Sequence, residues 1–214
     1  MDEDLEKLYS NRQPVLNELG RLLERETIAA LAGLRHIDRV TYRAKGLVSF
    51  LAKATDPENE SFYRDPLVEI EDQVAGRVIT FFLNDLAVVK ERLAGTYSTV
   101  EGWTRRPERD AEFGYESEHL ILIIPPHLKP KTWDSYERMP TTFELQVRTI
   151  FMHAYAEPQH NIGYKGAEEL PKEIRRELGW IAASAWGADQ AYERVRRWEE
   201  HRLLDDLSQS KPTA

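Results

Sequence analysis

No cysteine occurs anywhere in this chain, which removes disulfides and thiolate metal sites together. A reducing, cytoplasmic setting is the natural expectation. No run of about 18 apolar residues occurs either, so a membrane-spanning helix is not expected. The first residues, Met1 to Glu6, are acidic and lead into no apolar stretch, so a secretion signal is not expected. Positive charge is in short supply: 29 Lys and Arg face 37 Asp and Glu, a net charge of −8. That balance excludes a surface that is basic all over, though not a local basic patch. The 214 residues, 41% of them hydrophobic, suffice for one sizeable core and fall short of two full domains.

Hydrophobic periodicity outlines the elements. Leu5, Leu8, Val15, Leu16, Leu19, Leu22 and Leu23 recur at helical spacing, which predicts a helix from Asp2 to Leu34, interrupted by Pro14 and stopped at Gly33. A short strand is expected at Arg39 to Arg43 and a helix at Gly46 to Ala54, followed by a polar loop from Thr55 to Asp65. Arg77 to Leu83 is rich in β-branched and aromatic residues and predicts a strand, after which Asn84 caps a helix to Leu93. Further strands are expected at Tyr97 to Trp103, Ser117 to Ile124 and Thr142 to Thr149, then a helix to Glu157, disturbed by Pro158. From Pro171 to about Leu207 one or two long helices close the chain. Strands alternating with helices in the middle, and helices at both ends, indicate one mixed α/β domain.

Phe143 to Thr149 is the most informative stretch. Phe143, Leu145 and Val147 alternate with Glu144, Gln146 and Arg148, so a carboxylate, an amide and a guanidinium share one face of a rigid strand. A plain amphipathic strand gives the same alternation. Lys45, Ser49 and Lys53 are four apart, hence on one helical face, with Arg43 just before the helix; such a cluster suits a polyphosphate or is an ordinary solvated face. Asp72, just before a strand, can hold Mg²⁺ between nucleotide phosphates or serve as a turn residue.

In order, Arg43-Lys45-Ser49-Lys53, Asp72 to Arg77, Gly114-Tyr115-x-Ser117-x-His119, Glu144-x-Gln146-x-Arg148-Thr149, His160 and Tyr164-Lys165 resemble the synthetase domain of the RelA/SpoT family in its small stand-alone form. The resemblance covers roughly residues 36–166. With the periodicity of the flanking segments, the chain divides into an N-terminal helix over 1–35, the synthetase-like domain over 36–166, a C-terminal helical segment over 167–207 and a tail over 208–214 expected to be disordered. The resemblance concerns the second of these. It implies a nucleotidyltransferase-like mixed β-sheet flanked by helices, and transfer of the β,γ-pyrophosphoryl group of ATP to the 3′-hydroxyl of an acceptor nucleotide, GTP or GDP by preference, with release of AMP. By that resemblance Arg43, Lys45, Ser49 and Lys53 bind ATP, and Arg77 lies over its adenine. Asp72 and Glu144 hold Mg²⁺, Glu144 takes the proton of the attacking hydroxyl, and Arg148 acts with them. Tyr115, Ser117, His119, Gln146 and Lys165 bind the acceptor. No adjacent His-Asp pair of the kind used by the family's hydrolase domain is present.

The chain departs from the family pattern on the acceptor side. Glu116 stands where a basic residue often follows the tyrosine, here Tyr115, that stacks on the acceptor base, Glu118 comes two later, and Asp110-Ala111-Glu112-Phe113 lacks a lysine; in the turn after Asp72, Ala75 stands where a glycine is usual. His153, Tyr155 and Gln159 also differ from the common residues. A second expectation therefore stands beside the first: a toxin-type synthetase that modifies the 3′ end of tRNA or makes adenosine alarmones and is held off by an antitoxin. Arg105, Arg106 and Arg109, with Lys172, Arg175 and Arg176, form local basic patches that could grip an RNA backbone. Trp180, Trp186 and Trp198 on the closing helices suit helix packing or a homo-oligomer contact.

Overall fold

The computed structural model describes residues 2–56, 63–105, 113–114, 117–161 and 170–209. Helix α1 (Asp2–Ala30) continues through Pro14, because Tyr9 before it and Val15, Leu16, Leu19 and Leu23 after it bury almost completely and hold the helix on both sides of the missing donor. Strand β1 (Ile37–Ala44) leads to α2 (Leu47–Ala54), and the one-turn α3 (Pro66–Glu69) precedes a 3₁₀ turn at Glu71–Gln73 and β2 (Val74–Thr80). Then come α4 (Leu83–Ala94), β3 (Thr99–Arg105), β4 (Ser117–Ile123), β5 (Thr142–Thr149), α5 (Ile150–Asn161) and α6 (Lys172–Gln209).

The strands form one mixed sheet in the order β1-β2-β5-β4-β3. Only β2 and β5 run parallel; the other neighbours are antiparallel. Helices α1 and α4 cover one face, where Tyr42, Val78, Leu145, Val147, Leu120 and Leu122 join the leucines of α1 in the main core. The expected mixed α/β fold with helices at both ends is what the chain adopts.

Several boundaries differ from the sequence expectation, each for a local reason. Strand β2 begins three residues earlier and ends at Thr80, because Val74 and Gly76 pair with Ala44 and Tyr42 of β1. Asn84 does not cap α4. The helix starts one residue before it behind Phe82, and the Asn84 amide donates to Glu193 of α6 at 2.5 Å. Strand β3 starts at Thr99 because Tyr97 is used elsewhere: its hydroxyl lies 2.9 Å from that of Thr27, which also meets Tyr42 at 2.8 Å. Helix α3 was not foreseen; Asp65 caps it by accepting from the Leu67 amide. Pro158 lies within α5, which continues to Asn161. At the other end, Ser208 and Gln209, placed by sequence in a disordered tail, belong to α6.

Gly76 marks the tightest approach in the core. A Cβ there would lie 2.4 Å from the Tyr42 ring and 2.8 Å from Leu145 Cδ1. The ring cannot withdraw without releasing its hydroxyl from Thr27. Gly76→Ala is therefore expected to destabilise the fold by roughly 1–3 kcal/mol, the usual cost of overpacking. Urea denaturation of the purified variant measures it, and an unchanged midpoint would refute the contact.

Candidate active site

The face of the sheet opposite α1 carries the polar rows. In register across the strands, Arg43, Ala75, Glu144, Ile121 and Glu101 are neighbours, and so are Thr41, Arg77, Gln146, His119 and Trp103. A cleft of about 240 Å³ opens over the first three strands, lined by Arg43, Lys45, Asp72, Arg77, Glu144 and Gln146 among others. A contiguous pocket reaches Gly46 and Ser49 at the start of α2. Ala75, where the family pattern has glycine, puts only a methyl group on the cleft floor, while Gly76 turns to the core.

Asp72 lies in the 3₁₀ turn before β2, with Lys45 Nζ 2.5 Å from Oδ2 and Lys53 Nζ 3.0 Å from Oδ1. Burial opposes its ionisation, but the two ammonium groups outweigh that and hold its pKa below the ordinary value. For Lys53 the balance is the converse: burial disfavours the charge, Asp72 restores it, and the net shift is upward. Lys45 was expected on the face of α2 and instead lies in the link before it. Its amide donates to the Gln73 carbonyl at 2.8 Å. Its own carbonyl accepts from Tyr9 Oη at 2.8 Å and Gln13 Nε2 at 2.7 Å. The side chain still reaches Lys53's partner, because the link passes beside the turn that carries Asp72.

Glu144 is held from the other side. His119 Nδ1 on β4 is 2.6 Å from its Oε1, and Gln146 Nε2 donates to the same oxygen at 3.1 Å. Burial raises the Glu144 pKa, and the His119 and Gln146 bonds more than cancel this, leaving it lowered. Asp72 acts on Glu144 in the opposite sense, so the two carboxylates share one field across the cleft.

Arg148, expected beside Glu144, has the right face of β5 but is covered by α5 and is only 2% exposed. Its Nη2 is 2.7 Å from His153 Nδ1 and 3.4 Å from Glu157 Oε2. Burial and then Arg148 lower the His153 pKa, which suits a neutral ring accepting from the guanidinium. Glu157 also pairs with Arg77 at 2.8 Å and so fixes the arginine at the cleft's edge. Ser117 is buried at the start of β4, away from the cleft lining. Tyr115 and Lys165 lie outside the described residues, as do Arg106 and Arg109, while His160 falls in the last turn of α5.

Four contributors escaped the sequence reading. Glu157 was named only as a helix end, although it stands four residues after His153 and thus on the same face of α5. Tyr9 and Gln13, likewise four apart on α1, reach Lys45 only through the tertiary fold. Trp103 was read only as a strand residue, yet its ring stacks on His119 with centroids 5.2 Å apart.

Asp72 and Glu144 are the carboxylates available for a cation. Among the described residues no group of three or more His, Asp or Glu could hold a metal. Two carboxylates fit Mg²⁺, which keeps several waters and completes its shell with substrate phosphates. Among the described residues no helix is long and apolar enough to cross a membrane.

Residues 42–169 match the family described as "Region found in RelA / SpoT proteins". The GTP pyrophosphokinase YjbM of Bacillus subtilis strain 168 is 29% identical over 168 residues, covering 75% of this chain and 72% of that protein. The fold resembles the crystal structure of small alarmone synthetase 1 from Bacillus subtilis, with a TM-score of 0.70 and 23% identity over 94% of this chain and all of that one. The same enzyme bound to its product pppGpp superimposes with a TM-score of 0.68 and 24% identity, covering 93% of this chain and 100% of that one.

The lowered carboxylates set the acid stability. A group whose folded pKa lies below its unfolded value contributes stability above the unfolded value and loses it as pH falls through the folded one. Asp72, Glu144 and Glu157 all have this sign; Glu71, raised by burial and then by Glu101, has the opposite one. The urea midpoint should therefore hold near neutrality and fall below about pH 4. Asp72→Asn and Glu144→Gln should each flatten that fall, and an unaltered slope in both would contradict the assignment.

Proposed function

This chain belongs to the RelA/SpoT family, and from that membership we propose that it is a pyrophosphokinase transferring the β,γ-pyrophosphoryl group of ATP to the 3′-hydroxyl of GTP or GDP. The products are pppGpp or ppGpp and AMP, made in the cytoplasm, where these nucleotides reside. The observation that carries the reading is the cleft with Asp72 held by two lysines on one side and Glu144 held by His119 on the other.

The acceptor's 3′-oxygen attacks the β-phosphorus, the bond from that phosphorus to the α-phosphate oxygen breaks, and AMP leaves with that oxygen. Glu144, ionised and pointed into the cleft, accepts the hydroxyl proton. Lys45, Lys53 and Arg43 neutralise the phosphates as charge moves to the leaving group, Ser49 lies against the same phosphates, and Arg77, fixed by Glu157, is the platform for adenine. Lys45 and Lys53 neutralise Asp72. Asp72 and Glu144 would hold Mg²⁺, which would supply charge neutralisation at the transferred group. Tyr115, His119, Gln146 and Lys165 serve the acceptor, and Arg148 fixes the α5 end of the site from below. Trp180, Val195, Trp198 and Leu204, all more than half exposed on α6, support a homo-oligomer contact there.

One observation favours a second reading, transfer to the 3′ end of tRNA or to an adenine nucleotide by a toxin that an antitoxin restrains. Beyond Glu144 the open face presents Ile121, His119, Glu101 and Trp103, with no lysine or arginine among the side chains described on that part of β4 and β3. An RNA end brings no 5′-polyphosphate that needs one.

Incubation with γ-labelled ATP and GTP, GDP, GMP, ATP, ADP or total tRNA separates these outcomes. Labelled guanosine product with one AMP per transfer is expected; labelled tRNA or adenosine product would establish the second reading instead. No labelled product from any acceptor would overturn both.

Glu144→Gln should leave the fold intact and lower turnover by roughly 10² to 10⁴, the range of general-base contributions. Near-normal kcat would remove Glu144 from that role.

Lys45→Ala and Lys53→Ala should raise the KM for ATP before they lower kcat, whereas Asp72→Asn should abolish Mg²⁺-dependent turnover and leave binding of an ATP analogue largely in place. Calorimetric titration with the analogue reads the difference; equal affinity in all three variants together with undiminished rate would refute the phosphate site.

A further inference from the structure

The row Thr41, Arg77, Gln146, His119 and Trp103 crosses all five strands. Trp103 closes it on the edge strand β3, and the transfer described above gives it no role. Its indole is 41% exposed and nearly parallel to the His119 imidazole, at 15° and 5.2 Å between centroids. His119 is 6% exposed. Both donors that reach Glu144, His119 Nδ1 and Gln146 Nε2, converge on the single oxygen Oε1. Among the described residues no donor reaches Oε2. Asp72 and Glu71 from the turn before β2 and Lys53 from α2 act on Glu144 through their charge alone and form no bond that fixes its orientation.

A terminal imidazole torsion is broad, and a tilted or flipped ring would carry Nδ1 away from Oε1. Offset stacking on an indole restricts that tilt. We infer that Trp103 is a positioning residue for the transfer, acting through His119 to fix which oxygen of Glu144 faces the cleft. The indole sets the imidazole plane, the imidazole anchors Oε1, and Oε2 is left as the one oxygen presented to the attacking hydroxyl. This rests on the reading of Glu144 as the proton acceptor. Such an oxygen works only within about 2.6–3.2 Å of the hydroxyl, so a swing of the carboxylate lowers rate without weakening nucleotide binding.

Steady-state kinetics of Trp103→Ala, Trp103→Phe, Trp103→Leu, His119→Ala and the Trp103→Ala/His119→Ala double variant, with the acceptor found by labelling, test this. Trp103→Ala should lower kcat by roughly 10- to 100-fold, the effect of a small misplacement, with KM for both substrates within about twofold. Trp103→Phe, which keeps a flat face, should recover most of the loss; Trp103→Leu, which keeps only bulk, should not. Adding Trp103→Ala to His119→Ala should cost nothing more, because one acts through the other. Equal urea midpoints for the Phe and Leu variants keep the comparison free of misfolding should the Ala variant fail to fold. A raised acceptor KM with kcat retained would make Trp103 a direct substrate contact and overturn the proposal, as would additive losses in the double variant or equal kcat in the Phe and Leu variants. A fully active Glu144→Gln overturns the reading and the proposal together; an inactive Glu144→Gln beside an undiminished Trp103→Ala overturns the proposal alone.

Discussion

The parallel pairing of β2 with β5 is the constraint on which the rest of the site depends. Its register sets Ala75 beside Glu144 and Arg77 beside Gln146. The turn that enters β2 is thereby brought to the carboxylate on β5, although the two lie far apart in sequence. A slip of one residue would turn Glu144 into the core and Leu145 into the cleft, so the hydrophobic face of β5 enforces the chemistry of its other face. The antiparallel neighbours extend the same register outward, to Arg43 on one edge and His119 and Trp103 on the other.

Charge within that frame is balanced in pairs. Asp72 is compensated by two lysines, Glu144 by an imidazole and an amide, and Arg77 and Arg148 by one glutamate on α5. None of these groups is deeply buried without a partner, which is the arrangement that keeps partly desolvated ions affordable and ionised. The guanidinium of Arg43 differs: it lines both pockets and has no side-chain partner among the described residues.

Much of this was legible in the sequence, and the exceptions have a common cause. The alternation from Phe143 to Thr149 gave β5 to the residue, because one face is buried and the other polar. The resemblance of the short motifs named the family. Periodicity carried the first helix beyond Pro14 but placed an interruption there that the chain does not have, because tertiary packing of the leucines overrides a single missing donor. It misplaced β2 because Val74-Ala75-Gly76 is a weak strand former alone and becomes one by pairing with β1. It left Arg148 beside Glu144, since a strand pattern shows which face a side chain takes and not what packs over that face. Glu157, Tyr9 and Gln13 act across the fold, and only contacts between distant segments reveal them.

The last residue of β5, Thr149, donates its buried hydroxyl to Asp189 of α6 at 2.6 Å, and Glu193, one turn on, takes the Asn84 amide. Helix α6 has 38 residues, so at 1.5 Å per residue it is a beam about 57 Å long. Asp189 and Glu193 lie near its middle. The Thr149 bond fixes the middle of that beam to the end of the strand that carries Glu144, five residues along the ladder from the carboxylate, while Ala182 and Ala185 hold its first half against Met152 and Tyr155 of α5.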